Sequence, residues 1–149
     1  MPTTLQTCHR ALDLAAVEAA LRLSAAHLGR WGEEVAAEHL VDHDGLSILA
    51  RNWRCPHRER PGELDLVALD HLRRTVVVVE VKTRRQAARQ GGALGAVPAR
   101  KRAQLRVLTA AFVAAEHPPY RALRLDLIAL DLARGAPPHG SLSHLRGAL

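Results

Sequence analysis

The stretch that most limits the fold of this chain is "TVVVVEVKT", residues 75 to 83. Four consecutive valines are stiff at χ1 and favour a strand. Because strand side chains alternate between faces, a run that is apolar at every position must bury both of them. A central, doubly covered strand is therefore expected, and it ends in Glu80 and Lys82. These two residues project from one face, about 6.5 to 7 Å apart along the chain.

The neighbouring patterns supply the rest of an architecture. "ELDLVALD" (63 to 70) alternates, with Glu63, Asp65 and Val67 on one side and Leu64, Leu66 and Ala68 on the other. With "HLRR" as the turn, it forms a hairpin with the valine strand. "LSILARNWR" (46 to 54) reads as a short strand, and "CPHRERPG" (55 to 62) as a loop. "RALRLDLIALDL" (121 to 132) is a further strand. It is reached through the Gly-rich loop "QGGALGAV" (90 to 97) and a helix from Pro98 to about Glu116, striped by Leu105, Leu108, Phe112 and Ala115. That connection is long enough for a parallel crossover. A helix from Ser24 to Val41 carries Glu33 on the face of Ala36, Ala37 and Leu40, and Glu34 and Glu38 point to water. The expected class is α/β: a small mixed sheet with a helix on each side. Residues 1–27 are expected to form a helical extension, 28–134 the α/β domain, and 135–149 a loop-like tail.

At 149 residues, 48% of them apolar, the chain suffices for one domain that buries well over half of its unfolded surface. No apolar run reaches the roughly 18 to 20 residues that span a bilayer, and the start lacks the pattern of a secretory signal, so a cytoplasmic location is expected. Cys8 and Cys55 stand apart from any CxxC pattern. They suggest neither a disulfide framework nor a zinc site. The histidines, His43 and His57 among them, show no metal-binding spacing and are read as surface residues.

The net charge of +6 favours a polyanionic partner. No acid occurs from Lys82 to Ala115, whereas Arg84, Arg85, Arg89, Arg100, Lys101, Arg102 and Arg106 supply positive charge. The same stretch also suits a solvated helix face. It lacks the bulky apolar face of a membrane-surface helix.

Isolated charges at a buried strand end cost several kcal/mol unless they are paired or bind a metal. If the hairpin sets Asp65 opposite Glu80, two carboxylates and the carbonyl of Val81 can hold a hard divalent cation such as Mg²⁺. Glu33 would then orient the attacking water or contact a second ion. Nineteen of the 21 basic residues are arginine, so the lysines at 82 and 101 stand out. A compact ammonium at Lys82 suits an attacking water or a developing phosphorane charge. The competing reading is an ordinary Glu80–Lys82 ion pair at an exposed strand end, with Asp65 in a turn.

"GELDLVALD" followed by "VVVVEVKTRR" resembles the D…ExK signature of the PD-(D/E)XK nuclease superfamily, which includes restriction enzymes and Holliday-junction resolvases. The ordered blocks "GRWGEEVAAEHL", "ILARNWRC", "GELDLVALD", "VVEVKTR", "AVPARKRAQL" and "RLDLIAL" more narrowly resemble the YraN-like family of endonuclease-like bacterial proteins, over residues 28 to 149. The resemblance implies a restriction-endonuclease-like core, with Glu33, Asp65, Glu80 and Lys82 at catalytic positions and Glu63 as a second-tier site residue. Glu63 is equally suited to pair with Arg54 or Arg60. Gly95 stands where the family carries an acid, and residues 1–27 lie outside the match.

The resulting expectation is a Mg²⁺- or Mn²⁺-dependent endonuclease acting on DNA, branched DNA included, with a homodimer suggested by analogy to resolvases. Asp65, Glu80 and Val81 would bind metal, and the arginines would hold phosphates. With two Trp, one Tyr and one Phe, base stacking is not the main binding mode. The alternative is a non-catalytic nucleic-acid-binding module on the same fold, assisting recombination or DNA uptake.

Overall fold

In the computed structural model, which describes residues 6–56, 60–85 and 97–149, the valine run lies in an interior strand. One mixed six-stranded sheet is built from β1 (Gln6–Ala11), β2 (Ser47–Arg54), β3 (Glu63–Asp70), β4 (Thr75–Arg85), β5 (Ala122–Ala133) and β6 (His139–Arg146), in the order β1-β6-β5-β4-β3-β2. Only β4 and β5 pair in parallel, Thr75 with Ala122 through Arg85 with Leu132; the other neighbours are antiparallel. Among the described residues, three α-helices complete the fold: α1 (Leu14–Ala20), α2 (Ala25–Glu38) and α3 (Ala99–Glu116). Among the described residues, no helix is long and apolar enough to cross a membrane.

Period-two alternation along β4 sorts its valines into two cores. Val77 and Val79 pack with Ala36, Ala37 and Leu40 beneath α2. Val76 and Val78 pack with Leu105, Leu108 and Phe112 beneath α3. α1 and α2 start at side-chain caps. Ser24 accepts a hydrogen bond from the His27 amide at 3.3 Å, and Asp13 accepts one from Ala16 at 3.0 Å. On α3 the stripe includes Thr109, whose hydroxyl donates to the Leu105 carbonyl, whereas the expected Ala115 is exposed.

Two expectations are corrected. The N-terminal extension is not wholly helical, because Gln6–Ala11 is a strand and only Leu14–Ala20 is α-helix. Nor is the tail a loop, since His139–Arg146 inserts between β1 and β5 as a fully paired strand. Its alternation is obscured because two of its buried residues, Ser143 and His144, are polar. One nitrogen of His144 is held by a neighbour: its Nε2 lies 2.8 Å from Asp126 Oδ2, and Asp126 is also clasped by Arg124 at 2.9 Å. Beyond α2 the helix widens into a π-helical turn, His39–His43, which turns His39 inward to within 3.2 Å of His144. Burial lowers the His39 pKa to about 4, which keeps that ring neutral.

Candidate functional site

β3 and β4 stay paired only as far as Leu66 and Val79. Beyond that point the Val81 amide donates not to a backbone carbonyl but to the Asp65 carboxylate, at 2.8 Å. Asp65 therefore plugs the opening between the strands. Since the N–H and C=O of one strand residue point to the same edge, the Val81 carbonyl faces that opening as well.

Glu80 is 2% exposed, which removes the exposed-strand-end reading. Lys82 Nζ sits 2.7 Å from its Oε1. Lys101, from the first turn of α3, comes within 3.4 Å of Oε2. That distance is an ion-pair contact but not a well-formed hydrogen bond, and Oε2 is left buried without a hydrogen-bonding partner. The chain's two lysines thus bracket one buried carboxylate. Lys101 was expected among the phosphate-holding cations; its proximity to Glu80 depends on how α3 docks, and spacing carries no signal for it.

Burial raises the Asp65 pKa to about 6, and the charges of Glu80 and Glu33 push the same way, against the Val81 amide and Lys101. Glu33 comes from α2, on the sheet face opposite α3, and accepts a hydrogen bond from Asn52 Nδ2 at 3.2 Å. Asn52 has φ of +48°, a left-handed conformation that asparagine tolerates better than most residues. The approach of α2 depends on Gly32, where a Cβ would fall 1.8 Å from Thr83 Oγ1. Neither Asn52 nor Gly32 could be assigned from the motif spacing.

Glu63 is held by Arg54, with Oε2 3.0 Å from Nε and 2.9 Å from Nη2. Of the proposed phosphate-binding residues, Arg100 and Arg106 are exposed and Arg102 is half-buried. Arg84 lies near Asp131, whose carboxyl is raised by burial and partly restored by that guanidinium. Arg85 is corrected: its Nη2 donates to the Leu23 and Ala20 carbonyls at the end of α1, so it anchors that helix instead of facing a ligand. Arg89, His57 and the glycine-rich loop around Gly95 lie outside the described residues. An open cleft of about 510 Å³ beside Lys101 is lined by Arg54, Arg60, Gly62 and Glu63. A second, of about 520 Å³, carries Arg60, Arg100 and Gln104.

The donors suit a hard divalent cation. The Glu80 charge raises the proton affinity of Asp65, Oε2 of Glu80 lacks a donor, and a backbone carbonyl faces the same gap. Asp65, Glu80 and Val81 would supply the ligands.

The sequence model of uncharacterised protein family UPF0102 matches residues 32–130. A UPF0102 protein of Mycolicibacterium smegmatis is 45% identical over 125 residues, 84% of this chain and 94% of that relative. One from Mycobacterium avium is 39% identical over 134 residues, 90% and 98% of the two chains. Another, from Acidothermus cellulolyticus, is 43% identical over 132 residues, 81% and 92%.

Proposed function

Starting from the fact that this chain belongs to the UPF0102 family, we propose that it is a metal-dependent endonuclease of the PD-(D/E)XK type, hydrolysing DNA phosphodiester bonds. The observation that carries this reading is the buried Glu80 carboxylate bracketed by Lys82 and Lys101, beside an Asp65 that is half-neutralised near pH 6.

A bound Mg²⁺ or Mn²⁺ would activate water and offset phosphate charge. The chain's own groups do the rest. Asp65 is held at the strand opening by the Val81 amide, so its oxygens are oriented before any ligand arrives. Lys82, 35% exposed, is steadied by Glu80 and can turn an N–H toward a phosphate oxygen on which charge builds. Lys101 offers a second ammonium from the α3 side. Glu33 receives or orients a proton at the outer rim, with Asn52 fixing its carboxylate. Arg100, Arg102 and Arg106 hold the flanking backbone by charge.

A second reading has its own support. Two lysines already offset the Glu80 charge without a cation, as a non-catalytic nucleic-acid-binding module would need. Linear, flapped and four-way DNA incubated with Mn²⁺ separates the two. The enzyme should nick at least one substrate, and Lys82→Ala should abolish nicking while retaining most binding. Full activity in that variant, or no Mn²⁺ heat dependent on Asp65 and Glu80 in calorimetry, would reject catalysis.

A further inference from the structure

On the α2 face of the sheet, away from Lys82 and Lys101, three ligand-type side chains converge: His39 from the π-helical turn, Asp44 just after it, and His144 from β6. Each offers a ligand atom within 4.8 Å of the others. His144 Nδ1 stands 3.2 Å from His39 Nε2 and 3.2 Å from Asp44 Oδ2. The side chains of His144 and Asp44 are 0% and 5% exposed, and His39 is 1% exposed.

Two buried polar atoms of this centre, His39 Nδ1 and Asp44 Oδ2, lack a hydrogen-bond partner. His144 Nε2 faces Asp126 Oδ2 at 2.8 Å, so Nδ1 is the ring nitrogen turned toward His39 and Asp44. A cation would engage all three atoms at once. Nitrogen and oxygen ligands at about 2.0 to 2.2 Å around a tetrahedral ion lie about 3.3 to 3.5 Å apart, close to the separations seen.

The surroundings are those of a ligand set held in place. Asp126 backs His144 as a carboxylate backs a metal-binding imidazole. Arg146 at 2.7 Å and His43 at 2.9 Å both engage Asp44 Oδ1, which leaves Oδ2 directed at the centre. We infer that His39, Asp44 and His144 form a binding site for a zinc-class divalent cation that clamps β6 to the end of α2. Two imidazoles with one carboxylate select a borderline-soft ion over Mg²⁺.

The test is Co²⁺ titration of the metal-stripped full chain in excess Mg²⁺, followed by visible absorption and thermal unfolding. One equivalent should bind with a four-coordinate ligand-field spectrum lacking a sulfur band, be displaced by Zn²⁺, and raise the melting temperature. His39→Gln and the near-isosteric Asp44→Asn should lose that spectrum while keeping their far-UV circular dichroism. Cys8→Ser should keep it, as should an Asp65→Asn, Glu80→Gln double variant, so this site and the proposed catalytic one are judged separately. Folded wild-type chain that takes up no stoichiometric Co²⁺ would overturn the inference. So would a sulfur band lost in Cys8→Ser, which would move the ion to the neighbouring Cys8, His39 and His43 group.

Discussion

At the residue scale, Asp65 has the most to reveal. Its folded pKa, about 6, lies above the ordinary aspartate value of 3.8. The native state therefore binds more protons than the unfolded state between about pH 4 and 6, and stability falls as pH rises through that window. That rise corresponds to about 3 kcal/mol as an upper bound. Asp65→Asn, which can still accept from the Val81 amide, should stabilise the metal-free chain by about 1 to 3 kcal/mol at pH 7.5 and by almost nothing at pH 4, as measured by urea unfolding. On the proposed function the same variant should lose cleavage. A cation at Asp65 competes with its proton, so Mn²⁺ affinity should rise from pH 5 to pH 7. Glu80 and Lys82 were legible as a same-face pair because two-residue spacing on a strand fixes the face; the face of Asp65 was not, since its neighbour Leu64 packs with Val67 instead of with Leu66 and Ala68. Lys101 and Asn52 reach the site only through docking of α3 and a left-handed backbone in β2, which no local pattern encodes.

At the element scale, the contact of α2 with β4 is set by a missing methyl group. Gly32→Ala should cost about 1 to 3 kcal/mol, because the new Cβ meets a β-branched Thr83 whose own Cβ is 3.1 Å away. If Glu33 acts in the reaction, activity should fall further than stability at a temperature where the variant remains folded. Arg85 makes a second such prediction. Arg85→Ala removes donors from the carbonyls closing α1 and should lower stability by about 1 to 3 kcal/mol in denaturant titration, with nucleic-acid affinity nearly unchanged. β4 was readable because both its faces are buried and apolar, and β3 and β5 because their sequences alternate, although in β3 Leu64 packs with Val67 beneath α3 and not with Leu66 and Ala68 beneath α2. β1 was not: five of its six residues are exposed, so an edge strand carries no hydrophobic period. β6 hides polar groups where the pattern calls for apolar ones.

At the scale of the whole molecule, the charge of +6 is unevenly used. Arg85 and Arg124 are committed to internal partners, whereas Arg100 and Arg106 face water. Nucleic-acid binding should weaken steeply with salt, and replacing Arg100, Arg102 and Arg106 by Gln should reduce the slope of log K against log salt by roughly one per arginine, read by fluorescence anisotropy. An unchanged slope would locate the binding face elsewhere.

The pairing of Gln6 with Arg146 has a kinetic consequence. During synthesis β1 emerges early but has no partner until nearly the whole sheet has followed, because its neighbour among the described strands, β6, must first dock on β5. Assembly should thus proceed outward from the hairpin and the parallel pair, with the outermost ribbon closing last and the long loop-closure entropy falling on that step. A nascent chain stalled on the ribosome before β6 is exposed would carry a formed hairpin beside an unclaimed sheet edge, open to aberrant association until translation resumes.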